Sequence, residues 1–272
     1  MIKKYNELEF TDDFMFCKIL TSRLDLCKEL LELILGIKLK KVCLSESQKV
    51  IEMKYDSRGI RLDVYVDDEN ETIYDLEMQT TLKKDIPKRM RYYQGMIDLN
   101  LIQRGESFSK LKKSYIIFIC TKDPFGKKLP IYTFENTCIQ DKELILGDET
   151  TKVVVNPDSN RAGLSPEMNE FLNLLQGKKP NKKATKLVRE ITEAVKNAKE
   201  HKEWEVDYMT LQLKLQEERE EGREEGREQE ILLCVQEGDI SIERGAQKLG
   251  ISKSELICKM KKAGFNISSS KH

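Results

Sequence analysis

The chain has 272 residues, more than one minimal core needs, so a full domain with an appendage is expected. Its 47 Lys and Arg residues balance 47 Asp and Glu residues, so a nucleic-acid partner has to be met by a local basic surface rather than by total charge. The opening MIKKYNELEFTDDF lacks the apolar run of a secretory signal, no stretch reaches the ~18 apolar residues of a membrane span, and the seven cysteines form no CxxC pair. A soluble, cytoplasmic protein with reduced thiols is expected. A structural zinc site is not, and with His201 and His272 as the only histidines neither is histidine-based catalysis.

Phe14 to Leu35 places apolar residues at helical spacing, with Thr11 or Asp12 as the start cap, Gly36 as the stop, and a break foreseen at Ser22 or Asp25. Val50 to Tyr55 and Arg61 to Val66 alternate apolar and polar residues and read as strands. The polar turn DDENE leads to a third strand over Thr72 to Gln79, making a hairpin. Asp85 to Gln103 returns to helical spacing, with Pro87 tolerated in its first turn. Strands follow at Ser114 to Cys120, near Pro130 to Phe134, and over Thr151 to Asn156. The order predicts an α/β or α+β sandwich with a mixed central sheet.

This core is expected to span residues 1–156. A linker and helical segment follows over 157–203, with helices at Met168 to Gln176 and Leu187 to Lys199. A long charged helix over 204–236 contains the repeat EEGREEGREQE, in which each Gly costs the helix ~1 kcal/mol relative to Ala and invites bending or fraying. Residues 237–272 read as two short helices around Gly250, similar to a helix-turn-helix, with Lys253, Lys259, Lys261 and Lys262 available to a phosphate backbone. A helical cap or an element joining copies of the chain fits the same pattern equally well.

Strand alternation supplies the chemistry. In RLDVYV, Asp63 shares a face with Arg61 and Tyr65, and in YDLEMQ, Asp75, Glu77 and Gln79 share a face. If the apolar faces of both strands pack on one helix layer, Asp63 and Glu77 lie together on the other side, and strands ~4.8 Å apart let them share one cation. Hard carboxylate oxygens suit Mg²⁺ or Mn²⁺. Gln79 projects toward the same space and is suited to orienting water or bonding a phosphate oxygen. The following helix carries Lys88, Arg89 and Arg91 near its start, with Gln94 close by. These residues read either as DNA phosphate contacts or as a solvated helix face. Tyr93 fits a site wall and a core position alike.

An Asp on one strand and Glu-x-Lys on the next, after an acidic first helix, is the pattern of PD-(D/E)XK nucleases, with Gln79 standing here in the lysine position. The ordered set TDDFMFCKIL, RLDVYV, DLEMQ, KRMRYYQGMID, SYIIFIC and DPFG resembles the Rpn family of recombination-promoting nucleases and transposases. The resemblance implies a restriction-endonuclease-like sheet flanked by helices and Mg²⁺-dependent DNA cleavage that leaves 5′-phosphate and 3′-hydroxyl ends, in the service of recombination or mobile-element transfer. It assigns metal ligation to Asp63 and Glu77 and matches Asp13 to an acidic position of the first helix, where the alternative role is a helix cap. The rival expectation is a DNA-binding or protein-interaction module that keeps the fold without cleaving. A homo-oligomer through the C-terminal helices is a further expectation.

Overall fold

The computed structural model describes residues 3–44, 63–81, 84–180 and 184–265. The strand expected over Val50 to Tyr55 lies outside them, as do Arg61 and Leu62. The described chain divides into two compact units, residues 1–204 and 205–272.

In the first unit, α1 (Asp13–Ser22) and α2 (Leu24–Leu35) meet at Arg23, one residue from the foreseen break. Asp12 precedes α1 but its carboxylate does not cap the helix. It accepts instead from Lys3 and from the Glu9 amide. Gly36 stops α2 with φ +67°, a left-handed conformation that glycine adopts without steric cost. Six strands form one mixed sheet in the order β1-β2-β3-β4-β6-β5: β1 (Val42–Leu44), β2 (Val64–Asp68), β3 (Ile73–Gln79), β4 (Ser114–Cys120), β5 (Ile131–Phe134) and β6 (Thr150–Val155). The β3–β4 and β4–β6 pairs are parallel and the others antiparallel. Helix α3 (Ile86–Leu101) carries the crossover between the parallel strands β3 and β4.

The turn between β2 and β3 sets the register on which the site depends. Asp68 Oδ1 accepts from the amides of Asn70 (2.8 Å) and Thr72 (3.0 Å), bending the chain back after β2. The resulting ladder pairs Val66 with Tyr74, Tyr65 with Asp75 and Val64 with Leu76. Asp63, one step beyond the last pair, therefore arrives opposite Glu77.

One face of the sheet packs against α3: Tyr65, Ile73, Ile116, Phe118, Cys120 and Val154 form a cluster with Ile86, Met90, Tyr93, Met96 and Ile97. The alternate residues Val64, Val66, Leu76, Ile117, Ile119, Val153 and Val155 are fully buried as well. On that side α1 packs against β2 and α2 against β1, bringing Phe16, Ile19, Leu26 and Leu30 into the interior. Cover on both faces explains why all seven residues of β3 are buried.

The two helices expected after residue 156 are present and are part of the first compact unit. Helices α4 (Pro166–Leu175) and α5 (Lys186–Ala198) pack on α2 and α1 and belong to the first unit, their apolar stripes closing over the two N-terminal helices. The N-terminal segment is tied to α5 by the Tyr5 hydroxyl, which donates to the Ala198 carbonyl at 2.6 Å. Helix α6 (Lys202–Glu237) runs without interruption through Gly222 and Gly226, so the two glycines do not break it. In the second unit, α7 (Ile242–Leu249) and α8 (Lys253–Lys262) turn at Gly250, φ +66°, and pack on the end of α6 through Leu232, Ala246, Leu256 and Met260. A Cβ at Gly245 would stand 2.6 Å from a Val235 methyl, so the hairpin seats only because that position has no side chain.

Candidate active site

The buried polar groups on the sheet face under α3 lie in two places, at Ser114, which bonds Gln94, and where β2 and β3 meet. There Asp63, Asp75, Glu77 and Gln79 are gathered, because residues directly opposite on antiparallel strands share a face. Asp63 and Glu77 are cross-linked through each other's strands. The Asp63 amide donates to Glu77 Oε1 at 2.9 Å, and the Met78 amide donates to Asp63 Oδ2 at 2.9 Å. Asp63 stands at the partly open edge, whereas Glu77 is 4 % exposed.

Asp75, two residues back along β3, is fully buried, and neither of its carboxylate oxygens meets an N–H or hydroxyl donor among the described residues. Burial, followed by the charge of Asp63, pushes the Asp75 carboxyl well above the usual carboxylate range. Burial likewise raises Glu77, with Asp75 and then Asp63 adding to it. Without a cation the three acids cannot all be ionised at low cost.

Positive charge reaches this face from α3. Arg89 donates through Nη1 to Gln79 Oε1 and through Nη2 to the Tyr93 hydroxyl at 3.0 Å, and Nη2 lies 3.9 Å from Glu77 Oε2. Its guanidinium carbon stands 5.5 Å and 5.2 Å from the ring centres of Tyr93 and Phe118. Burial works against the Arg89 charge, but the Tyr93 phenol and Glu77 outweigh it and the net shift is upward. The other end of the Gln79 amide donates to the carbonyl (2.8 Å) and hydroxyl (3.1 Å) of Thr81. Both ends of that amide are engaged within the protein, so Gln79 orients a water or a phosphate only by releasing one of these partners.

The structure thus brings together Asp63, Glu77 and Gln79, as the strand alternation foresaw, and adds Arg89, Tyr93 and Asp75. Arg89 differs in placement from Lys88 and Arg91, which are exposed; it turns into the acid-lined face. Gln94 departs furthest from its expected place beside DNA. It is buried, donating to Asp98 (2.9 Å) and exchanging hydrogen bonds with the Ser114 hydroxyl (2.9 and 3.1 Å), at the opposite end of β4 from Cys120, the residue paired with Gln79. Asp13 is exposed in the first turn of α1. Among the described residues no set of three or more His, Cys, Asp or Glu side chains is disposed to hold a metal ion, so Asp13 does not complete a ligand triad with Asp63 and Glu77. The donor chemistry of the remaining pair, with a third buried carboxyl beside it that lacks any donor, fits a hard divalent cation. In the second unit Lys253 is paired with Glu243, and Lys259 with Glu228 at 2.8 Å, so two of the four lysines considered for DNA are held by acids.

Helical phase could have singled out Arg89. It lies three residues from Ile86 and four from Tyr93, on the rim of the buried stripe, while Lys88 and Arg91 fall on the outer side. Asp75 carried a weaker signal, an acid directly opposite Tyr65 in a strand otherwise dominated by apolar residues.

No helix of the described residues is long and apolar enough to cross a membrane. No curated protein and no solved structure matches the chain. Residues 11–144 do match a family model, that of the PD-(D/E)XK nuclease family transposases. The mixed six-stranded sheet flanked by helices is consistent with a nuclease-like fold of this kind, and the matched span carries Asp63, Asp75, Glu77, Gln79 and Arg89. Over residues 11–144 the chain is similar to the PD-(D/E)XK nuclease family transposases, in agreement with the resemblance that its ordered motifs carry.

Proposed function

We propose that the chain is a divalent-metal-dependent DNA endonuclease of the cytoplasm, serving recombination or mobile-element transfer. The family match over residues 11–144 supports a nuclease-type function acting on DNA, and nucleases of this kind generally use divalent metals. The observation that carries the reading is the placement of Asp63 opposite Glu77 on one sheet face, each bonded to the other's strand, beside a buried carboxyl that lacks a donor.

Asp63 and Glu77 would hold Mg²⁺ or Mn²⁺. When bound, such an ion supplies positive charge to the phosphate and makes a water more acidic. The chain's own part is to fix the two carboxylates through the amides of Asp63 and Met78 and to place exposed basic residues, Lys88 and Arg91, outside the site, where the DNA backbone passes. Asp13 remains a contributor through water.

The test is nicking of supercoiled plasmid with Mg²⁺ or Mn²⁺. An ion of this kind is worth several kcal/mol of transition-state stabilisation. Asp63→Asn or Glu77→Gln is therefore expected to lower the single-turnover rate by about 10³-fold, with the melting temperature preserved. DNA binding without nicking under any divalent ion sinks the reading and favours the non-cleaving module, for which the neutral Gln79 is the supporting feature.

A further inference from the structure

We propose that Arg89, reaching from α3 into the acid-lined face of β2 and β3, is the catalytic group that takes up negative charge developing on the scissile phosphate, with Gln79 as its positioning residue. The inference rests on the nuclease reading and names the charge that the reading lacks. Asp63, Asp75 and Glu77 make the site acidic and Gln79 is neutral, so the strands themselves bring no cation to a phosphodiester. Hydrolysis joins a water oxygen to phosphorus and breaks the bond from phosphorus to the 3′ oxygen. The water gives up a proton and the leaving oxygen gains one, while negative charge builds on the phosphoryl oxygens. Arg89 forms no bond to phosphorus; it donates N–H groups to those oxygens.

Three observations fit Arg89 to this work. Its orientation is fixed before any substrate arrives, by Gln79 Oε1, by the Tyr93 hydroxyl at 3.0 Å and by the rings of Tyr93 and Phe118. Donors held in place in this way stabilise a charged transition state without reorganisation. Those two hydrogen bonds engage only part of a guanidinium fork that carries five N–H donors, which leaves donors for a phosphate. Finally, the Arg89 side chain is 25 % exposed, whereas Glu77 beside it is 5 % exposed, so the cation is more open than the acid it neighbours and a phosphate can reach it. Gln79, anchored by Thr81 at its other end, keeps Arg89 from collapsing onto Glu77.

The experiment compares wild type, Asp63→Asn, Arg89→Met and Arg89→Lys in single-turnover nicking, in DNA affinity measured with Ca²⁺, and in Mn²⁺ affinity measured by calorimetry without DNA. Arg89→Met is expected to cut about 10²–10³-fold more slowly, while DNA affinity changes by less than about threefold, since one phosphate contact among several is lost. Mn²⁺ is expected to bind a few-fold tighter, because a like charge beside Glu77 has gone; a purely structural role for Arg89 would not tighten it. Arg89→Lys keeps the charge and protects the fold but lacks the fork, and is expected to lose about tenfold in rate. Nicking by either folded variant at the wild-type rate overturns the proposal, as does a loss confined to DNA affinity. If wild type and Asp63→Asn both fail to nick, the nuclease reading falls and the role of Arg89 falls with it. If wild type nicks and Arg89→Met nicks equally well, only the role of Arg89 falls.

Discussion

The two faces of the central sheet are buried alike but built differently. Under α1 and α2 the strands present Val64, Val66, Leu76, Ile117 and Val153, with no fully buried acid among the described residues there; the buried Tyr74 on this side donates through its hydroxyl to the partly exposed Asp68, and the rest is close-packed core. Under α3 the same strands present Tyr65, Ile116 and Phe118 together with Asp63, Asp75 and Glu77. The strand β3 therefore carries stabilising apolar groups on one side and costly charges on the other, one residue out of phase. A fold tolerates buried acids of this kind where a cation or a proton is available to them, and destabilised polar clusters of this type concentrate at sites of chemistry.

Three measurements break or sharpen the contrast. The largest stability effect is expected on the apolar face: Leu76→Ala should cost about 2–5 kcal/mol, read as an early melting transition, whereas Asp75 and Glu77 on either side of it contribute nothing comparable. A Leu76→Ala protein of wild-type stability would mean that the two faces do not differ as described.

The next effect concerns pH. Asp75 and Glu77 keep their protons above the range in which an unfolded chain loses them, so folding favours the protonated forms. Stability from this source is full below the unfolded carboxyl pKa of about 4 and is lost as pH rises through the raised folded values. Metal-free wild type should therefore melt progressively lower as pH climbs. Asp75→Asn should flatten the curve and melt above wild type at alkaline pH by about 1–3 kcal/mol, or roughly 2–4 °C per kcal/mol at this size. Parallel curves for the two proteins would show that Asp75 is not held as its burial implies. The smallest effect belongs to the exposed flank: Lys88→Ala and Arg91→Ala should each weaken DNA binding a few-fold and reduce the slope of log affinity against log salt by about 1. An unchanged slope removes those residues from the DNA path.

Much of this was legible because periodicity records burial. Ser114 to Cys120 is a strand with the bounds its apolar run gives, and the hairpin turn and the pairing of Asp63 with Glu77 follow from alternation through DDENE. Two things were not. Alternation marks a polar face but not whether it is covered, so the packing of α3 over the acids was invisible, and with it the depth of Asp75. Charge runs read as solvated surface, so Lys88, Arg89 and Arg91 looked equivalent although helix phase buries part of one and none of the others. The three-residue strand β1 is too short for any pattern, and the segment after Asn156 looks like a linker because its own helices are amphipathic only toward α1 and α2.

The acids, the amide, the guanidinium and the phenol of the site all come from one run of sequence, Asp63 to Tyr93, folded as hairpin, short connection and helix. Its parts are brought together by closing short loops, which costs less chain entropy than joining segments distant in sequence.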